Sequence, residues 1–298
     1  MPESNTTVAV IGLGRMGSGM ARSILDGGFP LIVWNRSSAK TDPFAAAGAT
    51  VATTPAEAAA DADIVLTSLL DDRSILDMLT RQDGILAGLS ESGTHLGTTT
   101  ISPQASARIA ELHAEHGSHY VATNVLGRPT SAAAGTLAAL VAGPSDIVAR
   151  VRPVLETFTN MIVDVGESPA NAARMKLTVN FFLSGLLETM SETFVFAEKH
   201  GLDTETVQHL MINQVFPNPA VREYAERIRT GYFDDAGATL ITGLKDLTLI
   251  LSEASDVRAP LPLADLVRDN ILKSLARGED QLDWCVSTRA NRIAAGLD

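Results

Sequence analysis

Cysteine is nearly missing. Cys285 is the single one among 298 residues, so neither an internal disulfide nor a cysteine-rich metal site can form. Aromatic residues are scarce at 5%, and cations are outnumbered, 23 Lys and Arg against 35 Asp and Glu. The resulting net charge of -12 disfavours nucleic acid and anionic membrane as partners unless a basic patch forms locally. No apolar run approaches the roughly 20 residues needed to span a bilayer, and no secretory pattern precedes Val8. No serine stands in G-x-S-x-G and no H-E-x-x-H occurs, so hydrolase readings have no support. A reduced, cytoplasmic protein without metal is expected.

What remains is an ordinary globular composition, 45% hydrophobic and 19% charged, with a length that fits about two domains. The first half alternates short apolar runs with alanine-rich helical stretches. Thr7–Ile11, Pro30–Trp34, Ala62–Leu70, Thr94–Gly97, His119–Ala122, Thr136–Ala142 and Met161–Val165 read as strands. Met16–Asp26 and Ser38–Ala47 read as helices. This alternation predicts βαβ units and a largely parallel sheet. The second half shows no strand pattern. Ser168 as N-cap, Pro169 at the first helical position and Gly201 as terminator predict one helix over Ser168–Gly201. At 1.5 Å per residue it is about 45–50 Å long, which suits a bridge between two halves. Its middle, FFLSGLLETM, is apolar on most faces and calls for burial on several sides. Helices are expected after it at Thr204–Val215, Pro219–Thr230, Thr242–Ala254, Pro260–Arg277 and Trp284–Ala295. The expected fold class is α/β, with an α/β domain over residues 1–166 and an all-α domain over 167–298.

The strand Val8–Ile11 runs into Gly12-Leu13-Gly14-Arg15-Met16-Gly17, a G-x-G-x-x-G between a predicted strand and a predicted helix. In that setting the first glycine permits the tight turn, the second lets backbone approach a pyrophosphate, and the third lets helix and strand pack closely. The helix start offers free N–H groups and partial positive charge to the phosphates. The N-terminal part therefore reads as a Rossmann domain, joined by the long interdomain helix to the all-α part.

Cofactor choice is read at the end of the second strand, where NAD sites usually carry a carboxylate for the ribose hydroxyls. Here the chain runs Trp34-Asn35-Arg36-Ser37-Ser38-Ala39-Lys40, and Asn35 stands in the acidic place. Arg36 can hold a 2′-phosphate by a charge-assisted fork. Ser37 and Ser38 can donate hydrogen bonds, and Lys40 adds charge. NADPH is the expected cofactor; the blander reading leaves Arg36 and Lys40 as solvated charges at a helix start. Leu69 and Leu70, after the run Ile64–Leu66, are expected to line the cofactor cleft through backbone contacts.

With Gly12–Gly17 followed by Met20-Ala21 and then Asn35-Arg36, the chain resembles the β-hydroxyacid dehydrogenase family. That family includes 3-hydroxyisobutyrate dehydrogenase and glyoxylate/succinic semialdehyde reductase, and is related to 6-phosphogluconate dehydrogenase and the imine reductases. Thr99-Thr100-Ile101-Ser102-Pro103 resembles its S-T-x-S-P segment, Gly135-Thr136-Leu137 its G-T-L, Lys176 and Asn180 its K-x-x-x-N, and Lys245-Asp246-Leu247 its K-D-L. The resemblance implies that Thr100 lies near the nicotinamide ribose, that Lys245 lies near the nicotinamide, and that two copies pair through their helical domains as a homodimer. The substrate loop departs from the family. Where D-A-P-V-S-G-G is usual, the chain has Ala122-Thr123-Asn124-Val125-Leu126-Gly127-Arg128. Leu126 replaces the serine that typically binds a substrate carboxylate, and Arg128 replaces the second glycine.

Lys176 and Asn180 are four apart on one predicted helix and share a face. A lysine entering an apolar helix centre either snorkels or functions. Partial burial would lower its pKa and suit it to protonate a carbonyl oxygen as hydride reaches the carbon. Asn180 would hold that oxygen or orient the lysine. The substrate, a small carbonyl or imine compound, is expected in the cleft between the domains, beside the loop Thr123–Arg128. There Leu126 forms an apolar wall, Gly127 allows close backbone approach, and Arg128 either clamps a carboxylate or else faces solvent or pairs with a nearby acid. His113, His116 and His119 lack further ligands and read as a solvated helix end. Asp61, Asp63, Asp71 and Asp72 read as surface charges.

Overall fold

The structure is a computed structural model that describes residues 6–297. The chain forms two compact units, one ending at Lys176 and one starting at Leu177.

The first unit is built on eight strands: β1 Val8–Ile11, β2 Leu31–Trp34, β3 Thr50–Val51, β4 Ile64–Thr67, β5 Thr94–Gly97, β6 His119–Leu126, β7 Leu137–Ala142 and β8 Thr159–Asp164. They lie in the order β3-β2-β1-β4-β5-β6-β7-β8. Neighbours are parallel except β6 and β7. The first six strands thus give the doubly wound 3-2-1-4-5-6 order. Helices cover both faces: α1 Arg15–Asp26, α2 Asp42–Ala46, α3 Pro55–Ala60, α4 Asp72–Thr80, α5 Ile85–Gly88, α6 Pro103–His116, α7 Pro129–Ala133 and α8 Ser145–Phe158. β1 is buried at every position because its two faces serve two cores. Val8 and Val10 pack with Met20 and Ile24 of α1 and with Val151 and Leu155 of α8. Ala9 and Ile11 pack with Ile75 and Leu79 of α4 and Ile109 of α6. Each such aliphatic side chain contributes about 1.5–3 kcal/mol on burial, which is why continuous apolar runs rather than alternating ones mark these strands.

Several boundaries differ from the sequence reading. The helix expected over Ser38–Ala47 is a 3₁₀ turn at Ser38–Lys40 followed by α2. Pro43 has no N–H to continue a ladder and sits in the first turn of a new helix instead. Strand β6 runs four residues past Ala122 because β7 pairs with it antiparallel over Ala122–Leu126, so the expected substrate loop shrinks to Gly127 and Arg128. The two-residue β3 carried no sequence signal, since both its residues are exposed.

The second unit holds most of α9 Pro169–Lys199, then α10 Thr204–Leu210, α11 Pro219–Thr230, α12 Leu240–Asp256, α13 Pro262–Ala276 and α14 Arg289–Ala294. Among its described residues the one β contact is an isolated bridge, Thr239 to Asp283. The expected helix Thr204–Val215 ends as a π-helical turn over Met211–Val215, and the expected helix Trp284–Ala295 begins as a 3₁₀ turn over Trp284–Thr288. The core joins Leu187, Met190 and Phe194 of α9 to Ile250, Ile271 and Trp284. Within FFLSGLLETM, Ser184, Gly185, Leu187, Glu188 and Met190 are buried and Phe181, Leu183 and Leu186 half-buried, while Phe182 is 60% exposed and, further along α9, Phe196 is 65% exposed. Among the described residues no helix is long and apolar enough to cross a membrane.

Candidate active site

The glycine loop is assembled from three separate constraints. Gly12 has φ +99, and a Cβ there would strike the Ser68 carbonyl oxygen. A Cβ on Gly17 would strike the Gly12 carbonyl oxygen, so only glycine lets α1 sit this close to β1. Gly14 differs: a Cβ there meets nothing within 4 Å. Packing therefore does not demand Gly14, and the open space above it is where a pyrophosphate would come close. Gly14 is also the N-cap of α1 without a side-chain cap, and the first turn holds no acid. The N–H groups of that turn and its partial positive charge are left for a ligand. Arg15 beside it is exposed and Met16 half-buried. These residues fit a dinucleotide phosphate without adjustment.

Asn35 ties this loop to the end of β2. Its Oδ1 accepts the Leu13 N–H at 2.9 Å, and its Nδ2 donates to the Ser37 carbonyl at 2.9 Å. A carboxylate could accept from Leu13 but could not donate to Ser37. Arg36, Ser37 and Lys40 follow, all exposed. A cavity of about 590 Å³ opens between α1 and the segment after β2, lined by Gly14, Arg15, Ser18 and Arg22 on one side and Lys40 and Phe44 on the other. Sequence reading passed over Arg22, because its place on this stripe shows only once α1 packs beside residues 39–44.

The loops after β4, β5 and β6 are stitched together. Thr99 Oγ1 accepts the Leu69 N–H at 2.9 Å. The Thr99 carbonyl accepts from Nδ2 of buried Asn124 at 3.1 Å. Asp72 accepts the Ser102 N–H at 2.9 Å and its hydroxyl at 2.5 Å. Asp71 caps α4 through Ser74 in a reciprocal capping box. Asp71 and Asp72 are thus half-buried fasteners rather than the surface charges expected. The Leu69 and Leu70 N–H groups are taken by Thr99 and Ser74, so the backbone contacts expected of these residues are left to their carbonyls. Thr100, next to the Thr99 stitch, is half-buried.

Gly127, with φ +136, turns the chain from β6 into α7. α7 is clamped on α1: Ser23 Oγ donates to the Ala132 carbonyl at 3.0 Å, and a Cβ on Gly19 would press into Ala132 at 2.8 Å. Arg128, the N-cap residue of α7, is only 8% exposed, so it does not face solvent. Leu126 is half-buried at the end of β6.

Lys176 is half-buried and closes the first unit. Asn180 lies one turn further along α9, in the second unit, where its Nδ2 donates to Asp246 Oδ2 at 2.7 Å. Lys245 pairs with the other oxygen of Asp246 at 2.8 Å. A carboxylate only accepts, so Asp246 fixes the orientation of the Asn180 amide.

The histidine tract is the largest departure. His113 is fully buried, not solvated. Its Nε2 lies 3.0 Å from Nδ1 of His95, whose Nε2 lies 2.8 Å from Thr67 Oγ1. His113 Nδ1 meets Ser118 Oγ at 2.8 Å, and half-buried His116 meets the same oxygen at 3.1 Å. Burial, then the facing His113, drives the His95 pKa well below its usual value. Burial, then His116 and His119, pushes His113 down to about 3. Both rings are neutral at pH 7, each with one donor and one acceptor nitrogen. Among the described residues no cluster of His, Cys, Asp and Glu could hold a metal.

This sheet order, with an uncapped glycine-lined helix start at the carboxyl end of β1, defines a dinucleotide-binding Rossmann protein. Residues 7–166 match the NAD-binding domain of 6-phosphogluconate dehydrogenase, and residues 170–288 match the NAD-binding family of NADP-dependent 3-hydroxyisobutyrate dehydrogenase. The chain is 39% identical over 277 residues to the uncharacterized oxidoreductase YfjR of Bacillus subtilis, covering 93% of this chain and 96% of that one. It is 26% identical over 287 residues to glyoxylate/succinic semialdehyde reductase 1 of Arabidopsis thaliana, covering 96% and 99%. The solved 3-hydroxyisobutyrate dehydrogenase of Mycobacterium tuberculosis, in a structure with L-serine, superposes with a TM-score of 0.83 at 26% identity, covering 96% of this chain and 99% of that one. The chain belongs to the β-hydroxyacid dehydrogenase family and is an NAD(P)-dependent oxidoreductase.

Proposed function

We propose that the protein is an NADPH-dependent reductase of a small aldehyde or keto acid, with Lys176 as proton donor. The observation that carries the cofactor reading is the end of β2. Asn35 is committed to Leu13 and Ser37, and no carboxylate stands there to repel a 2′-phosphate. Arg36, Ser37 and Lys40 supply charge and donors for it. Gly12, Leu13, Gly14, Arg15, Met16 and Gly17 hold the pyrophosphate on the α1 start. Leu69, Leu70 and Thr100 border the ribose and nicotinamide, with Lys245 at the nicotinamide end.

The bound dinucleotide supplies the hydride. The chain's own task is to place the carbonyl and to move a proton. Lys176 donates from Nζ to the carbonyl oxygen as negative charge builds there, and in reverse its amine takes the alcohol proton. Asn180, its amide set by Asp246, holds that oxygen. Arg128, already nearly stripped of solvent, binds a carboxylate of the substrate. Leu126 presents an apolar side chain next to it, which favours a less polar chain than a small hydroxy acid carries. That same apolar replacement favours a second reading, reduction of a C=N bond. The exposed phenylalanines of α9 fit a homodimer in which a second copy covers them.

Lys176→Met tests the mechanism. With NADPH and succinic semialdehyde, turnover falls by about 100-fold or more while the NADPH Kd stays within about twofold. Retained turnover removes Lys176 from the chemistry. Turnover of a cyclic imine but of no aldehyde or keto acid favours the second reading.

A further inference from the structure

The loop after β2 supplies one wall for a 2′-phosphate, but the cavity beside it has another wall that the loop does not make. Gly14, Arg15, Ser18 and Arg22 form a stripe down one side of α1, at the spacing that places helix residues on a single face. Lys40 stands across from them, with Pro43 and buried Phe44 behind it. Among the described residues, three cations and no carboxylate therefore line this one cavity, in a chain of net charge -12. The nearest acid along the stripe, Asp26, is one turn beyond Arg22 and accepts its Nε–H at 2.9 Å. That bond occupies one donor of the guanidinium and leaves the Nη end to project from the pair. An arginine held at Nε is a preorganised fork for a second oxyanion.

We propose that Arg22 is a specificity-determining residue: from the α1 side of the cavity, together with Lys40, it binds the phosphate on the adenosine ribose. The proposal rests on the NADPH reading and adds to it a discriminating group two turns from the glycine loop. It divides cofactor recognition in two. The helix start and Gly14 hold the pyrophosphate that NADH and NADPH share. The Arg22–Lys40 cavity acts on the phosphate that only NADPH carries. Asp26 has two opposed effects, since it steers the arginine and also lowers the positive potential of the site.

The test is calorimetric titration of the whole protein with 2′,5′-ADP and with 5′-AMP, and with NADPH and NADH in parallel. Arg22→Gln is expected to weaken 2′,5′-ADP and NADPH by about tenfold, the loss of one charge-assisted contact, and to leave 5′-AMP and NADH unchanged. Asp26→Asn is expected to tighten 2′,5′-ADP by about twofold to threefold, because a full negative charge leaves the rim. Arg152→Gln on α8, a half-exposed arginine paired with Glu156 at 4.0 Å, controls for net charge and is expected to change nothing. If the unmodified protein binds both dinucleotides alike, the NADPH reading falls and this proposal with it. If it prefers NADPH and Arg22→Gln keeps the full preference, the proposal alone is overturned. An equal loss in Arg152→Gln also overturns it. Unchanged melting temperature in Arg22→Gln confirms that binding, not folding, is being read.

Discussion

The buried His95–His113 pair makes the first unit sensitive to acid in a calculable way. His113 has a pKa of about 3 in the folded state and about 6.5 when unfolded. The native state therefore binds fewer protons than the unfolded chain between those values. Its stability is complete above about pH 6.5 and declines as pH falls toward 3. For this one ring the loss is about 2 kcal/mol at pH 5 and about 5 kcal/mol when the whole interval is crossed. His95, whose pKa burial lowers in the same direction, steepens the decline. Carboxylates with lowered pKa values titrate below the window from pH 7.5 to 5, and Glu188, whose pKa burial raises, belongs to the second unit rather than the first. The two tryptophans, Trp34 and Trp284, fall one in each unit, so a Trp284→Phe background reports on the first unit by fluorescence. Urea unfolding at pH 7.5 and pH 5.0 in that background gives the pH-dependent loss. His113→Gln lowers stability at pH 7.5, because it breaks a buried hydrogen-bonded chain, yet it should shrink the further loss on going to pH 5 by about 2 kcal/mol. If the variant loses as much between the two pH values as the parent does, the neutral, buried His113 of this account is wrong.

Other perturbations separate folding from function. Gly14→Ala meets no neighbour and should leave thermal stability within about 0.5 kcal/mol, while weakening NADPH by at least about tenfold because the pyrophosphate needs that space; unchanged affinity would refute the placement. Asn124→Ala removes the stitch to the Thr99 carbonyl and should cost about 1–3 kcal/mol by denaturant titration, with the NADPH Kd rising as the Leu69–Thr100 wall loosens. Glu188 is buried, with Oε1 accepting from Asn270 at 2.9 Å and Asn291 at 2.7 Å, and burial raises its pKa. A raised carboxyl pKa means that stability declines as pH climbs from the unfolded value near 4.5 to the folded one. The neutral isostere in Glu188→Gln should therefore raise the melting temperature at pH 7.5, whereas Glu188→Ala should lower it. A lower melting temperature in Glu188→Gln would show that the charged form is the one the fold prefers.

Local signals were enough wherever one short segment carries both the pattern and its reason. The run Val8–Ile11 into Gly12–Gly17 announced strand, turn and helix together, because the apolar run and the glycine spacing sit in one short segment, although it is the distant Ser68 carbonyl that excludes a side chain at Gly12. The missing carboxylate at Asn35 was equally plain, and so was the spacing of Lys176 and Asn180 on a helix that the structure shows as Pro169–Lys199. Periodicity states which face of an element is buried, and for the parallel sheet that sufficed.

It does not state what a buried polar group meets. His113 looked like a solvated helix end because its partner, His95, lies on β5, and only the packing of α6 against that strand brings the rings to 3.0 Å. Asn124 looked like part of a substrate loop until β7 paired beside it and turned that stretch into strand. Arg22 drew no reading from the sequence; its place shows only where α1 and the segment after β2 enclose a cavity between them. The sequence alone settled the sheet, the glycine turn and the helical second half, since these follow from hydrophobic burial and backbone sterics within short windows. Tertiary structure decided the polar pairings, since a hydrogen bond or an anion pocket depends on strand order and helix packing that residues far apart must supply jointly.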